Sequence, residues 1–336
     1  MLPNATTVIL LAPIIVKVAR ELAVDFAGPL ILTAILSNSA GLLTLVGDPA
    51  TFLVGSAIGM SFTQYLRWVS LGGVLAVLTT LPFLPWLMPE AWRARRALPP
   101  DLAPQPLERP WLCVASLLVL AVMVLLFLFG EEIPVRLVPP GVAIIGATLG
   151  MLATYGAKVE PVEKVIQDVD WRTLLFLTCM FCLVEAFNKT GILQGLSLNL
   201  HGWFGADLTV VALFLLLMVG SASSVLANIP VVAAMLLMTK GYLVTAGVVP
   251  ELALAPGYGD WPMPVLPVFV AMMFAGTLGG NATLIGASAN VVSAGICAAQ
   301  GRPVSFGAFL RLGLPIALAQ LVVSAGYVLV MFRLMG

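Results

Sequence analysis

Three stretches of this chain are apolar enough to enter a bilayer, yet each is interrupted at mid-length by residues that break helices. Residues 28–60 carry Ser37-Asn38-Ser39-Ala40-Gly41 and Thr44-Leu45-Val46-Gly47-Asp48-Pro49 between apolar ends. Residues 264–299 carry Gly279-Gly280-Asn281-Ala282-Thr283-Leu284-Ile285-Gly286, then Ala287-Ser288-Ala289-Asn290. Residues 207–240 carry Gly220-Ser221-Ala222-Ser223-Ser224 and Asn228-Ile229-Pro230. Irregular backbone at membrane depth survives only where protein buries it or where it lines a cavity. The pattern predicts discontinuous helices or re-entrant hairpins; small-residue packing faces on kinked helices are the alternative.

The rest of the chain is membrane-like. Apolar residues make up 60% and charged residues 10% of 336, with mean hydropathy +1.07. Soluble domains run at about 45–50% and 25%, so a water-soluble enzyme is excluded. Val69–Met88, Trp111–Phe129, Leu137–Tyr155 and Leu312–Leu334 reach the roughly 20 residues that a crossing needs, and Trp171–Phe187 falls slightly short. The expected fold class is an all-α polytopic membrane protein, integral and multi-pass. Sixteen basic residues balance sixteen acidic ones, which leaves no field to attract nucleic acid. Cys179 and Cys182 read as small core residues one turn apart. An intramembrane aspartyl protease would need glycine where Leu45 stands, and the single histidine, His201, falls in an interfacial loop. No enzyme is expected and no cofactor is called for. A channel remains the competing class, since broken helices also build filters.

The interruptions repeat. Leu43-Thr44-Leu45-Val46-Gly47 aligns with Ala282-Thr283-Leu284-Ile285-Gly286, 239 positions later. Ser61-Phe62 and Leu66-Arg67 align with Ser305-Phe306 and Leu310-Arg311, and Leu2-Pro3-Asn4 aligns with Leu226-Ala227-Asn228. Each half then reads as a hairpin with Asn at its tip, a broken helix with a Thr-x-x-Gly loop, a connector and a full span. Paired broken helices in corresponding positions point to a secondary transporter's binding site. The expected division is residues 1–88 as the first repeat, 89–110 as a cytoplasmic linker rich in Pro and Arg, and 111–336 as the second repeat. With the first hairpin open to the cytoplasm, eleven basic residues fall inside and five (Arg67, Arg136, Lys189, Lys240 and Arg333) outside, as expected for inverted repeats. The second hairpin has an arm, Asp207–Val219, before its tip. The chain begins at the first tip, which suggests an N-terminally shortened form or a first half completed by something else.

These motifs resemble the ion transporter superfamily, most closely the branch of the arsenite permeases, the NhaD-type sodium/proton antiporters and the melanosomal P protein. Residues Gly279 to Val292 are similar to that branch's second-loop motif, Val169-Asp170-Trp171-Arg172-Thr173-Leu174-Leu175-Phe176 to its V-[DE]-W-x-T-L-L-F segment, and Val46-Gly47-Asp48-Pro49 to its first-loop I-G-D-P. The resemblance implies the fold of the divalent anion/sodium symporters, with elevator-type alternating access in a homodimer. Several members carry Asp-Asn at both tips, suspected of ion coupling; here Pro3-Asn4 and Ala227-Asn228 stand there, so sodium/proton antiport is not carried over. The first-loop D-P-P-N is Asp48-Pro49-Ala50-Thr51.

The loops offer neutral donors and acceptors. The expected substrate and ion ligands are Asn4, Thr6, Asn38, Ser39, Thr44, Gly47 and Asp48 from the first half, and Ser224, Asn228, Asn281, Thr283, Gly286, Ser288 and Asn290 from the second. Half-helix N-termini suit an anion; half-helix C-termini and unwound carbonyls suit Na⁺. Asp48 before Pro49 reads as an N-cap, with ion coupling as the sharper alternative. Glu185 reads as an i,i+4 partner of Lys189. The expected substrate is a small inorganic or metalloid oxyanion of arsenite type, then a citrate-like carboxylate, then sodium/proton exchange, with Na⁺ or H⁺ as coupling ion. The partners expected are that small species and the lipid bilayer.

Overall fold

In the computed structural model, which describes residues 4–93, 109–130, 137–159, 161–167, 169, 171–255 and 257–335, every regular element is helical. Leu2, Pro3, Arg136, Asp170 and most of the expected linker lie outside the described residues. Thirteen described helices have eight or more residues: α1 Asn4–Glu21, α2 Ala27–Ala40, α3 Pro49–Ala57, α4 Leu71–Leu78, α5 Pro110–Phe129, α6 Pro139–Gly156, α7 Trp171–Lys189, α8 Ile192–Phe204, α9 Leu208–Ser223, α10 Asn228–Thr245, α11 Leu266–Gly279, α12 Ser288–Ala299 and α13 Phe306–Met335. A chain this apolar must satisfy its backbone internally, and helices do so within one segment.

Four segments have the length and apolarity of a crossing: Phe62–Leu87, Pro110–Phe129, Asn228–Thr245 and Phe306–Met335. Together α7 and α8, broken at Gly191 where φ is +80°, meet the same test. Two expectations shift. The span expected over Leu137–Tyr155 is the helix α6, diluted by two opening prolines and four glycines and not among the four. Conversely α10, read as part of an interrupted region, is unbroken over 18 residues because Pro230 sits in its first turn, where no backbone N–H is needed. Cys179 and Cys182 are exposed rather than core, since much of the apolar surface of α7 points outward.

The described residues fall into two compact units, one drawn from Met1–Met60, Gln64–Leu98 and Cys179–Gly336, the other from Ser61–Thr63 and Pro99–Thr178. In the smaller unit α5 packs on α6, and Phe62 stacks on Phe127 with ring centroids 5.2 Å apart. Only 6% of the most apolar window of α5 is buried, so its side chains present hydrocarbon outward, as a lipid-facing helix does.

In the larger unit α11 is the central rod. Its residues from Pro267 to Gly279 are all buried, and it packs against α9, α10, α13 and α3. A helix apolar on every face belongs inside. Around it, α1 and α10 each run 18 residues from an asparagine, and α2 and α11 each run 14. The contacts of the two sets exchange: α1 packs on α2 and α12, whereas α10 packs on α11 and α3. Both short helices are tied at their far ends. Beyond α12, Arg302 donates to Asp25 at 3.0 Å; at the end of α3, the Ala57 carbonyl accepts from Lys240 Nζ at 3.0 Å.

Candidate functional site

Glycine and small polar side chains end α2 and α11 after 14 residues each, and the backbone beyond each helix closes on itself. After α2, Gly41–Leu43 makes one 3₁₀ turn and the chain reverses, with Gly47 N–H donating to Thr44 O at 2.9 Å. A Cβ on Gly47 would overlap the Gly41 carbonyl. After α11, Gly286 N–H donates to Thr283 O at 3.2 Å, and a Cβ on Gly286 would lie 2.6 Å from Gly280 O. Both loops therefore require glycine at the same step.

Asp48 is 4% exposed and caps α3. A single oxygen, Oδ2, accepts from Ala50 N at 3.0 Å, Thr51 N at 3.4 Å and the Thr277 hydroxyl of α11 at 3.1 Å. Pro49 opens the helix where its missing N–H does no harm. By contrast α12 and α10 begin after Ala287 and Ala227, with no side-chain cap on either. The position matching Asp48 in the second loop is thus an alanine.

The second hairpin tip touches the second loop. Thr283 Oγ1 donates to Ser224 O, and Asn228 Oδ1 accepts from Ser223 Oγ at 2.8 Å. The Asn228 amide lies where a Cβ on Gly280 would be 3.2 Å away. Asn290 Nδ2 staples the loop by donating to Gly280 O and Thr283 O at 2.9 and 2.8 Å. Ser288 is exposed at the loop's exit, and Ser224 and Asn228 are half-buried. In the first half, Asn4 Nδ2 donates to Asn38 Oδ1 at 3.1 Å, and Asn4 O accepts from Ser37 Oγ at 3.0 Å. Thr6 and Thr44 are half-buried.

Buried amides join the halves. Asn38 Nδ2 donates to Thr277 O and Asn281 Oδ1 at 2.8 and 2.9 Å. Asn281 Nδ2 donates to Ser39 Oγ and to Gln320 Oε1 at 2.9 and 2.8 Å. Gln320 Nε2 donates to Ser39 Oγ and Ala76 O at 2.9 and 3.0 Å. So the structure gathers Asn4, Asn38, Ser39, Asp48 and Asn281 around α11, and Ser224, Asn228, Thr283, Gly286, Ser288 and Asn290 around the second loop.

Sequence reasoning passed over Gln320, Thr277 and the place of Lys240. An uncharged amide inside the apolar run 312–334 is the signal that marks Gln320, by the rule that intramembrane polar groups need a partner. Lys240, expected among the exterior basic residues, is 7% exposed and sits 5.2 Å from the Trp261 ring centroid. A helix C-terminus and an aromatic face both favour a cation. Glu185 stays at the surface, 4.0 Å from Lys189.

The profile of a family described as citrate transporter matches residues 1–257. An uncharacterized transporter of Synechocystis sp. is 45% identical over 98% of this chain and 73% of its own length. One from Mycobacterium tuberculosis is 30% identical over the whole chain and 75% of its own length. The P protein of Homo sapiens is 26% identical over the whole chain and 47% of its own.

Proposed function

The chain belongs to the citrate transporter family, and on that premise we propose that it is a secondary active transporter moving a small oxyanion across the membrane by elevator-type alternating access. The observation that carries the anion is the contrast between the two loops. At α3 the protein supplies its own carboxylate, Asp48, to the helix N-terminus. At α12 and α10 no side chain fills that role, which leaves both positive dipole ends, in the segments of Thr283, Ser224 and Asn228, without a carboxylate of the protein's own and supports an anion there. The family's description makes citrate the first probe. The lack of any Arg or Lys in either loop sequence favours species of low charge, which makes arsenite the second. The segments of both expected tips, both loops and the last span lie in one unit cross-linked by hydrogen bonds, which supports a single moving body of the kind an elevator needs. The matched helix lengths and exchanged contacts support inverted repeats.

Counterflow in proteoliposomes tests the reading. Vesicles preloaded with citrate or arsenite should accelerate uptake of the labelled species, and should do so with a sodium or proton gradient dependence. Linear uptake with no trans-stimulation would instead indicate a pore. Within this reading the Asn228 amide is paired with Ser223, whose single proton also faces Gly276 O, and keeps at least one N–H to offer an oxyanion. Asn228→Ala should weaken affinity about three- to tenfold, the equivalent of one hydrogen bond, with little change in melting temperature. A lowered melting temperature with unchanged affinity would assign Asn228 to the loop's structure alone.

A further inference from the structure

The amides of Asn38, Asn281 and Gln320 have no N–H left to offer a ligand. Each NH₂ group donates twice and each carbonyl oxygen accepts once within the protein. Ser39 Oγ accepts from two of them and donates to Ile35 O at 2.8 Å. Asn38, Asn281 and Gln320 are 2%, 0% and 0% exposed. Their polarity runs one way, from the Ala76 carbonyl through Gln320, Asn281 and Asn38 to Asn4. Because Ala76 and Thr277 offer backbone carbonyls, the amides next to them cannot be flipped without facing oxygen to oxygen.

We infer that Asn38, Asn281 and Gln320 are positioning residues: they set the second loop against the first hairpin tip and the last span, and they do not touch the transported species. The inference rests on reading this unit as the transport site. Its content is that Gln320, on α13 and remote in sequence from both loops, governs the loop through Asn281. The species moved meets the loop rim at Ser224, Asn228 and Ser288 instead.

Gln320→Glu separates positioning from mere packing, because it keeps shape and adds a titration. Protonated, the acid donates to Ala76 O or Ser39 Oγ and accepts from Asn281, much as glutamine does. Ionised, it turns a carboxylate toward the Ala76 carbonyl and loses that donor. The full-length protein, purified in detergent, is compared with its variants by hydrogen exchange of the peptide spanning residues 280–287 and by citrate and arsenite affinity. Both readouts are taken as ratios to the unsubstituted protein, from mildly acid to mildly alkaline pH. Gln320→Glu should match the unsubstituted protein in acid. As pH rises, loop exchange should quicken and affinity weaken by about tenfold. Gln320→Leu should be impaired at every pH. A flat ratio for Gln320→Glu, or a Gln320→Leu protein that keeps loop protection and affinity while losing only melting temperature, overturns the inference. A pH-dependent loop in a protein that binds neither probe would support the positioning role and overturn the substrate reading.

Discussion

Gly279→Ala should destabilise the protein severely, whereas Gly220→Ala at the same helix crossing should be nearly silent. A Cβ on Gly279 would overlap the Gly220 carbonyl and crowd the Gly220 Cα at 2.8 Å. Backbone cannot step aside as a rotamer can, so α9 and α11 would have to part along the most buried helix of the unit. Overpacking of this kind costs about 1–3 kcal/mol and more where backbone must move. A Cβ on Gly220 is crowded by the Leu321 side chain, 3.0 Å away at the nearest methyl, which can rotate, and meets the Ala275 carbonyl at an ordinary 3.9 Å. Melting temperatures of the two variants in one detergent decide the matter. Similar losses for both, or the reverse order, would show that this crossing is looser than its geometry.

Asp48 is the second site where a single substitution should have a large effect. Asp48→Ala removes the cap of α3, worth about 0.5–2 kcal/mol, and leaves the buried Thr277 hydroxyl without its acceptor, at about 1–3 kcal/mol. A combined loss of about 1.5–5 kcal/mol is expected. Asp48→Asn should be nearly neutral, because all three donors converge on one oxygen and an amide oxygen can occupy that place. Its stability, and the pH and sodium dependence of transport, should follow those of the unsubstituted protein. An Asp48→Asn protein that folds normally but has lost its ion dependence would make the carboxylate a coupling group instead of a cap.

Much of the architecture could be read from local chemistry. Gly41, Gly47, Gly280 and Gly286 mark the two reversals because only residues without a Cβ allow those backbone approaches, and such residues stand out in an apolar run. Asp48-Pro49 announces the start of α3 in the same way. Partnership was not legible. Nothing near Asn38 in sequence says that Asn281 lies beside it, and sequence alone does not distinguish an amide open to a ligand from one whose N–H groups are both engaged, as those of Asn281 are. The bond from Lys240 to Ala57 spans 183 residues, so the sequence assigns Lys240 a side of the membrane and no partner. A pattern along one chain fixes where helices stop; it does not say which side chains meet across the core.

The bonds from Thr277 to Asp48, from Asn38 to Asn281 and from Gln320 to Ser39 close over 229, 243 and 281 residues. During synthesis, at about 5–20 residues per second, the first loop must then wait roughly ten seconds to a minute for its partners. Through that interval Asn38 and Asp48 would lie in an environment where an unpaired polar group costs several kcal/mol. The first segment should accordingly stay near the insertion machinery or the membrane surface until α11 emerges, and settle to its final depth only after α13 is made. Release of the nascent chain, rather than insertion of its first helices, would then set the pace of assembly.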